Sequence, residues 1–206
     1  MEISWYKQLW YLRDRRVDNW FMMSSPWPTV LLTFVYWFCS IVLGPYLMKN
    51  RSALELKKPI QIYNLIQVVS SAYMFYEACV IGWFSHYNWL CQPVEMDAQP
   101  NSYAMRMAAV CHLYYLSKFT EFADTFFFIA RKKFSHVSKL QLIHHGIMPI
   151  HSYMVVRWLP GGHESFGGTF NALVHVIMYS YYFLGMWPMS SSPYMSQLAI
   201  WTPRVF

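Results

Sequence analysis

Long apolar stretches alternate with short charged linkers along this chain, and each stretch is long enough, or nearly so, to cross a bilayer as a helix. Residues 19–48 carry no charge. Pro26 and Pro28 mark a start there, and the first span is predicted over 29–48. Pro59 opens the second, over 60–84, whose only charge is Glu77. The third covers about 104–130 and carries Lys118, Glu121 and Asp124; the fourth is 140–156, with no charge between Lys139 and Arg157. The fifth runs over about 166–187. Residues 1–28 read as a mixed-charge lead in which Trp5, Trp10 and Tyr11 suit an interfacial helix. Residues 189–206, with a serine run, prolines and too few apolar positions to span, read as a poorly packed tail. The expectation is an all-α, polytopic membrane helical bundle over 29–188.

The linkers set its orientation. Residues 49–58 hold Lys49, Arg51, Lys57 and Lys58 against Glu55, and residues 131–139 hold Arg131, Lys132, Lys133 and Lys139. Residues 86–103 contain no Lys or Arg, only Glu95 and Asp97. The positive-inside rule puts 49–58 and 131–139 in the cytosol and 86–103 on the far side with the N-terminus. The slight basic excess of the lead opposes this and is outweighed by the three internal linkers. Asn50-Arg51-Ser52 matches the glycosylation pattern but is predicted to stay unmodified on the cytosolic side.

Composition agrees: 56% of the 206 residues are hydrophobic and 13% charged, against about a quarter charged in soluble domains. The formal charge of +6 does not mark a nucleic-acid binder. The basic residues flank the apolar spans, where they act as topology signals and attract phosphorylated ligands. The first residues lack a signal-peptide core, so the first span reads as an uncleaved anchor. Cys39, Cys79 and Cys111 lie in spans as packing residues, and Cys91 lies in the far-side loop.

Ionisable groups at membrane depth are costly and face the protein interior. Helical spacing puts Gln141, His144 and His145 on one face, Lys118, Glu121, Asp124 and Thr125 on another, and Asn171, His175 and Tyr179 on a third. At about 1.5 Å per residue, Asp124 lies roughly 10 Å above Arg131 and His144 roughly 8 Å above Lys139, so the faces can meet in one layer. Blander readings stand beside this: a lone histidine as packing, Lys118 and Glu121 as a neutralising pair, and Tyr179, Tyr181 and Tyr182 as packing or interfacial residues. His86, His112, His136, His151 and His163 receive no role from spacing. One histidine box beginning with Gln141 offers too few ligands for a di-iron centre, so no metal is expected.

At these residues the chain resembles the very-long-chain fatty acid elongases, the ELO family of 3-ketoacyl-CoA synthases. KFTEFADTFFFIARKK is similar to the K-x-x-E-x-x-D-T block, LQLIHHGIMP to the H-x-x-H-H box, and NALVHVIMYSYYFL to the N-x-x-x-H-x-x-M-Y-x-Y-Y block. IHHGIMP followed by LPGGH is similar to arthropod members. Gln141 replaces the first box histidine. The resemblance implies seven spans, six of them a barrel around an acyl tunnel, and a lysine-rich cytosolic tail. The chain stops after five spans and so reads as C-terminally truncated, with Cys91 left without a partner.

The implied reaction condenses acyl-CoA with malonyl-CoA to 3-ketoacyl-CoA in the endoplasmic reticulum membrane, without a cofactor. In it His144 accepts the acyl group or handles the proton, opposite His175. His145 holds the thioester oxygen or orients its neighbour, and Gln141 donates to an oxyanion. Asp124 and Glu121 fix histidine tautomers or pair with Lys118, while Thr125, Asn171 and Tyr179 line the substrate site. Arg131, Lys132, Lys133 and Lys139 attract CoA phosphates. Cys111 is a rival nucleophile, placed on the far-side half of its span. Membrane lipid, other elongases and other enzymes of the elongation cycle are the expected neighbours. The alternative is an inactive chain acting as a membrane binding or regulatory partner of full-length elongases. A transporter lacks support because the chain shows no internal repeat.

Overall fold

The computed structural model describes residues 5–186 and contains no β-strand among them. A short helix α1 (Trp5–Tyr11) leads into α2 (Trp27–Phe38), which continues through a π-helical turn, Cys39–Leu43, into α3 (Gly44–Met48). Next come α4 (Lys57–Ala78) with a π-helical turn, Cys79–Trp83, then α5 (Tyr103–Thr120) and α6 (Phe122–Ala130). α7 (Lys139–Trp158) and α8 (Ser165–Gly185) complete the described chain. α1 lies in the lead, and α2 to α8 fall on the five predicted stretches. Trp187, at the end of the fifth, and the tail at 189–206 lie outside the described residues. The third stretch differs from expectation: instead of one continuous helix it breaks at Glu121, which caps both α5 and α6.

The helices are amphipathic in the sense opposite to a water-soluble bundle. On α4 the buried stripe is Ile60, Asn64, Gln67, Ser71, Met74 and Ala78, while Ile62, Leu65, Ile66, Val69 and Tyr73 face outward. On α2 and the turn after it Thr29, Thr33, Tyr36 and Ser40 point inward, and Leu31, Phe34, Val35 and Phe38 outward. Both stripes follow the three- and four-residue spacing of one helical face. Polar groups inside and apolar groups outside suit a hydrocarbon solvent, where an unpaired polar group costs most. Trp27–Met48 and Lys57–Trp83 are long and apolar enough to cross a membrane by length and composition.

α4 runs antiparallel to α8: Tyr63 meets Tyr179 near one end, and Trp83 Nε1 donates to Ser165 Oγ at 3.1 Å near the other. α7 packs antiparallel to α5 and to α2, with Tyr115 beside Tyr153 and Trp37 beside Leu142. Ser102 and Ser138 cap α5 and α7 by accepting from Met105 N and Gln141 N. α6 closes in a Schellman turn. Lys133 N bonds Phe128 O, Lys132 N bonds Ile129 O, and Lys132 takes the left-handed position at φ 56°.

The two basic linkers share one end of the bundle, where Leu54 N bonds Ala130 O at 3.0 Å and Lys132 Nζ reaches Lys49 O at 3.4 Å. The lead, the 86–103 loop and the α7–α8 turn share the other, as the charge alternation requires. There Arg16 donates to Glu95 O at 2.8 Å, Trp158 Nε1 to Leu9 O at 2.8 Å, and His163 N to Gln92 O at 2.8 Å. Gly162, at φ 57°, sits so close to the backbone of residues 92–94 that a Cβ would meet Val94 N at 2.8 Å. Met107, Trp83, Ile81 and Val156 form the apolar core in this half of the bundle, joined by Val17 and Met23 of the lead.

Arg157 anchors the lead. It is 1% exposed, bonds Asp18 Oδ1 at 2.5 Å and lies over the Trp10 ring at 4.7 Å. Burial raises the Asp18 pKa, but the hydrogen bonds and charges of Arg13 and Arg157 outweigh it and hold the carboxyl below its ordinary value. A depressed carboxyl contributes stability that is complete above its unfolded value, about pH 4, and is lost as pH falls through the folded value. Limited proteolysis between residues 5 and 23 is therefore expected to accelerate below about pH 4 in the wild type. In Asp18→Asn it is expected to be fast and pH-independent.

Candidate active site

The last turn of α5 sets Lys118 and Glu121 three residues apart, so their side chains meet: Nζ to Oε1 is 2.6 Å, with 2% and 3% of the side chains exposed. Lys118 Nζ also donates to Asn171 Oδ1 on α8 at 3.1 Å and lies 4.1 Å from the Tyr114 ring centroid. Tyr114 OH donates to the same Asn171 oxygen at 2.9 Å. A buried ammonium thus has a carboxylate, an amide oxygen and an aromatic face, which is what makes its burial tolerable.

Glu121 is the hub. Its Oε1 faces His175 Nδ1 on α8 at 3.4 Å, and its Oε2 faces His145 Nδ1 on α7 at 3.8 Å. His145 Nδ1 is buried and makes no hydrogen bond. One carboxylate therefore joins side chains from α5, α7 and α8 in a largely buried layer.

Two branches extend the layer. Asp124 accepts from Tyr179 OH at 2.7 Å, Tyr179 OH lies 3.4 Å from Tyr63 OH, and Gln67 Nε2 donates to Tyr63 OH at 2.8 Å and to Thr120 Oγ1 at 3.0 Å. Gln141 donates to Thr125 Oγ1 at 3.3 Å, and Tyr36 OH lies 3.0 Å from the same oxygen. Lys118, Glu121, His145, Asn171 and His175 are thus brought into one cluster. Asp124 pairs with Tyr179, and Gln141 pairs with Thr125. His144 is exposed beside His145, with ring centroids 5.7 Å apart. Arg131, Lys132, Lys133 and Lys139 stand at the basic end, outside the cluster.

Tyr114, Tyr63, Gln67 and Tyr36 also join the layer, although helical spacing assigns them no role. Gln67 carried a usable signal, a polar side chain at mid-span on the face of Asn64 and Ser71; the tyrosines did not, since tyrosine is ordinary packing in such helices. Arg106, also unassigned, bonds Glu77 at 2.8 Å.

A cavity of about 650 Å³ adjoins the cluster at Tyr114 and Asn171 and extends toward the lead end. Met74, Met107, Cys111, Val155 and Ala172 give it an apolar wall, and His151 and His163, left without a role by spacing, also border it. On α7 its lining includes Ile147 and His151, which share a helical face with His144 one turn nearer the basic end. Among the described residues no group of three or more His, Cys, Asp or Glu side chains could hold a metal ion.

These features define a polytopic membrane helical bundle with a buried carboxylate–histidine centre at one end of an apolar cavity. The profile described as "ELO: GNS1/SUR4 family" matches residues 21–205, and the chain belongs to that family. It is 48% identical over 171 residues to very long chain fatty acid elongase 7 of Drosophila melanogaster, covering 83% of this chain and 51% of the fly protein. A very long chain fatty acid elongase of Aedes aegypti is 49% identical over 177 residues, 85% of this chain and 49% of its own length. Very long chain fatty acid elongase 7 of Rattus norvegicus is 44% identical over 169 residues, 82% and 59%. The chain thus spans about half the length of the insect relatives it matches.

Proposed function

We propose that the chain carries the condensing centre of a very-long-chain 3-oxoacyl-CoA synthase, joining acyl-CoA to malonyl-CoA. The observation that carries this is the convergence of His145, His175 and Lys118 on Glu121 beside an apolar cavity. The acyl chain lies in the cavity with its thioester in the histidine layer. His144, on the cavity face of α7, attacks the thioester carbon: an N–C bond forms, the C–S bond breaks, and CoA leaves with a proton delivered from His175. Malonyl-CoA then loses carbon dioxide, and the carbanion attacks the acyl carbon, releasing His144 and 3-ketoacyl-CoA. Decarboxylation supplies the carbanion, so no cofactor enters. His145 and Gln141 hold the developing oxyanion, and Glu121 orients both inner imidazoles. Asp124 acts through Tyr179, with Thr125 and Asn171 holding the layer together.

Arg131, Lys132, Lys133 and Lys139 attract CoA phosphates at the cytosolic mouth of an endoplasmic reticulum membrane protein. The test is incorporation of labelled malonyl-CoA by microsomes from elongase-deficient cells expressing this chain. His144→Ala, His145→Ala and His175→Ala are each expected to lower turnover by about 10²–10⁴-fold. Full turnover in His144→Ala with loss in Cys111→Ala would reassign the nucleophile.

A second reading has its own support. Leu140, Ile143, His144, Ile147, His151 and Met154 form one exposed stripe along α7, and histidine is a costly group to present to lipid. In that reading the stripe docks on a full-length elongase, and the chain modulates its partner. Co-purification with a full-length elongase, together with no turnover alone, would favour it.

A further inference from the structure

α2 lies outside the carboxylate–histidine cluster, yet two consecutive residues on it touch both sides. Tyr36 reaches α6: its ring stacks on Phe122 at a centroid distance of 4.1 Å and an interplanar angle of 12°, and its hydroxyl meets Thr125 Oγ1 at 3.0 Å. Trp37 reaches α7, where Nε1 donates to the Leu142 carbonyl at 2.9 Å. The indole lies so close to Gly146 that a Cβ there would overlap Nε1, Cε2 and Cζ2. Only glycine admits this contact, one residue from His145.

The position of His145 needs such a support. Its Nδ1 makes no hydrogen bond, and the Glu121 carboxylate faces it only at 3.8 Å, so that contact orients the ring without fixing its distance. The backbone around it is also weakened. Pro149 lies inside α7, and without an N–H it leaves the His145 carbonyl with no helical donor four residues on. A helix so interrupted bends at that step unless a neighbour pins it. Trp37 pins the turn just before it, through Leu142 and Gly146.

We propose that α2 is a positioning element, with Trp37 holding the α7 turn that carries His145 and Tyr36 holding α6, so that together they set the His145–Glu121 separation. Neither touches the reacting atoms in the proposed mechanism. The catalytic consequence rests on that mechanism; the positioning itself does not.

The test uses the purified full chain in detergent, with carbethoxylation of each histidine by diethyl pyrocarbonate followed by mass spectrometry. Trp37→Phe keeps a ring and loses the N–H, Trp37→Leu loses both, and Phe38→Leu alters the outward face as a control. Modification of His145 relative to exposed His144 is expected to rise about tenfold in Trp37→Leu, as expected for a locally opened helix. Trp37→Phe should fall between, Phe38→Leu should match wild type, and His112 and His175 should keep their rates. An unchanged His145 rate in folded Trp37→Leu overturns the proposal. So does a parallel rise at every histidine, which would mark general loosening. In the turnover assay Trp37→Leu should lower kcat by about 10- to 100-fold with KM little changed. If wild type shows no turnover, the catalytic reading fails by itself, and the histidine rates still decide the positioning.

Discussion

Glu121→Ala is expected to remove folded protein rather than merely slow it. The carboxylate is the counter-charge of Lys118 at 2.6 Å in a site where both side chains are nearly inaccessible. Without it an ammonium is left buried beside two imidazoles, at a cost of about 3–5 kcal/mol. A domain's whole stability is on the order of 5–15 kcal/mol, so detergent-stable monomer should fall sharply in size-exclusion profiles. The double variant Lys118→Met/Glu121→Gln removes both charges at similar volume and is expected to recover most of the folded yield while remaining inactive. A stable Glu121→Ala would show that Asn171 and the Tyr114 ring suffice for Lys118. Recovered turnover in the double variant would show that the carboxylate is not the hub of the proposed mechanism.

The second large effect concerns the cavity. Gly168 borders it, and a Cβ there would meet the Tyr114 ring first, at 3.8 Å, an ordinary contact. Gly168→Phe should therefore set its ring beside Tyr114 at the cavity wall, with no close contact at the new Cβ, and helix propensity favours the change. If the cavity holds the acyl chain, the ring displaces about four methylenes, costing about 3 kcal/mol of burial. That converts to a loss of about two orders of magnitude in kcat/KM for the longest acyl-CoAs it accepts, with the shortest little affected. Competition between acyl-CoAs of graded length reads this directly. An equal loss at every length would remove the cavity from the proposed mechanism.

Much of the architecture was readable from residue order because a bilayer limits what a chain can do. Hydrocarbon admits helices whose backbone bonds are internal, so charge-free runs mark them. Basic linkers after the first and third stretches, and their absence after the second, required the lead to share an end with residues 86–103. Arg16 bonding to Glu95 and Asp97 carbonyls is that outcome. Two of the polar faces were readable as well, since spacing of three and four residues places Lys118 with Glu121 and Asn171 with His175 in any helix, whereas on α7 His144 is exposed apart from Gln141 and His145.

Which face meets which was not readable. A 3.6-residue period says that a polar stripe points inward, not what it finds there. Asp124 is expected at a histidine or at Lys118, and in the structure its carboxylate accepts from Tyr179 on α8. Glu121 is the hub because its carboxylate lies between α7 and α8, within reach of His145 and His175. The Trp37 contact depends on Gly146 lacking a side chain at one point on a neighbouring helix 109 residues away in sequence. Solvent decided the helices and their ends, and so both could be read from composition along the chain. Close packing between distant helices decided the partners of each buried polar group, and such contacts leave no periodic trace in the residues that make them.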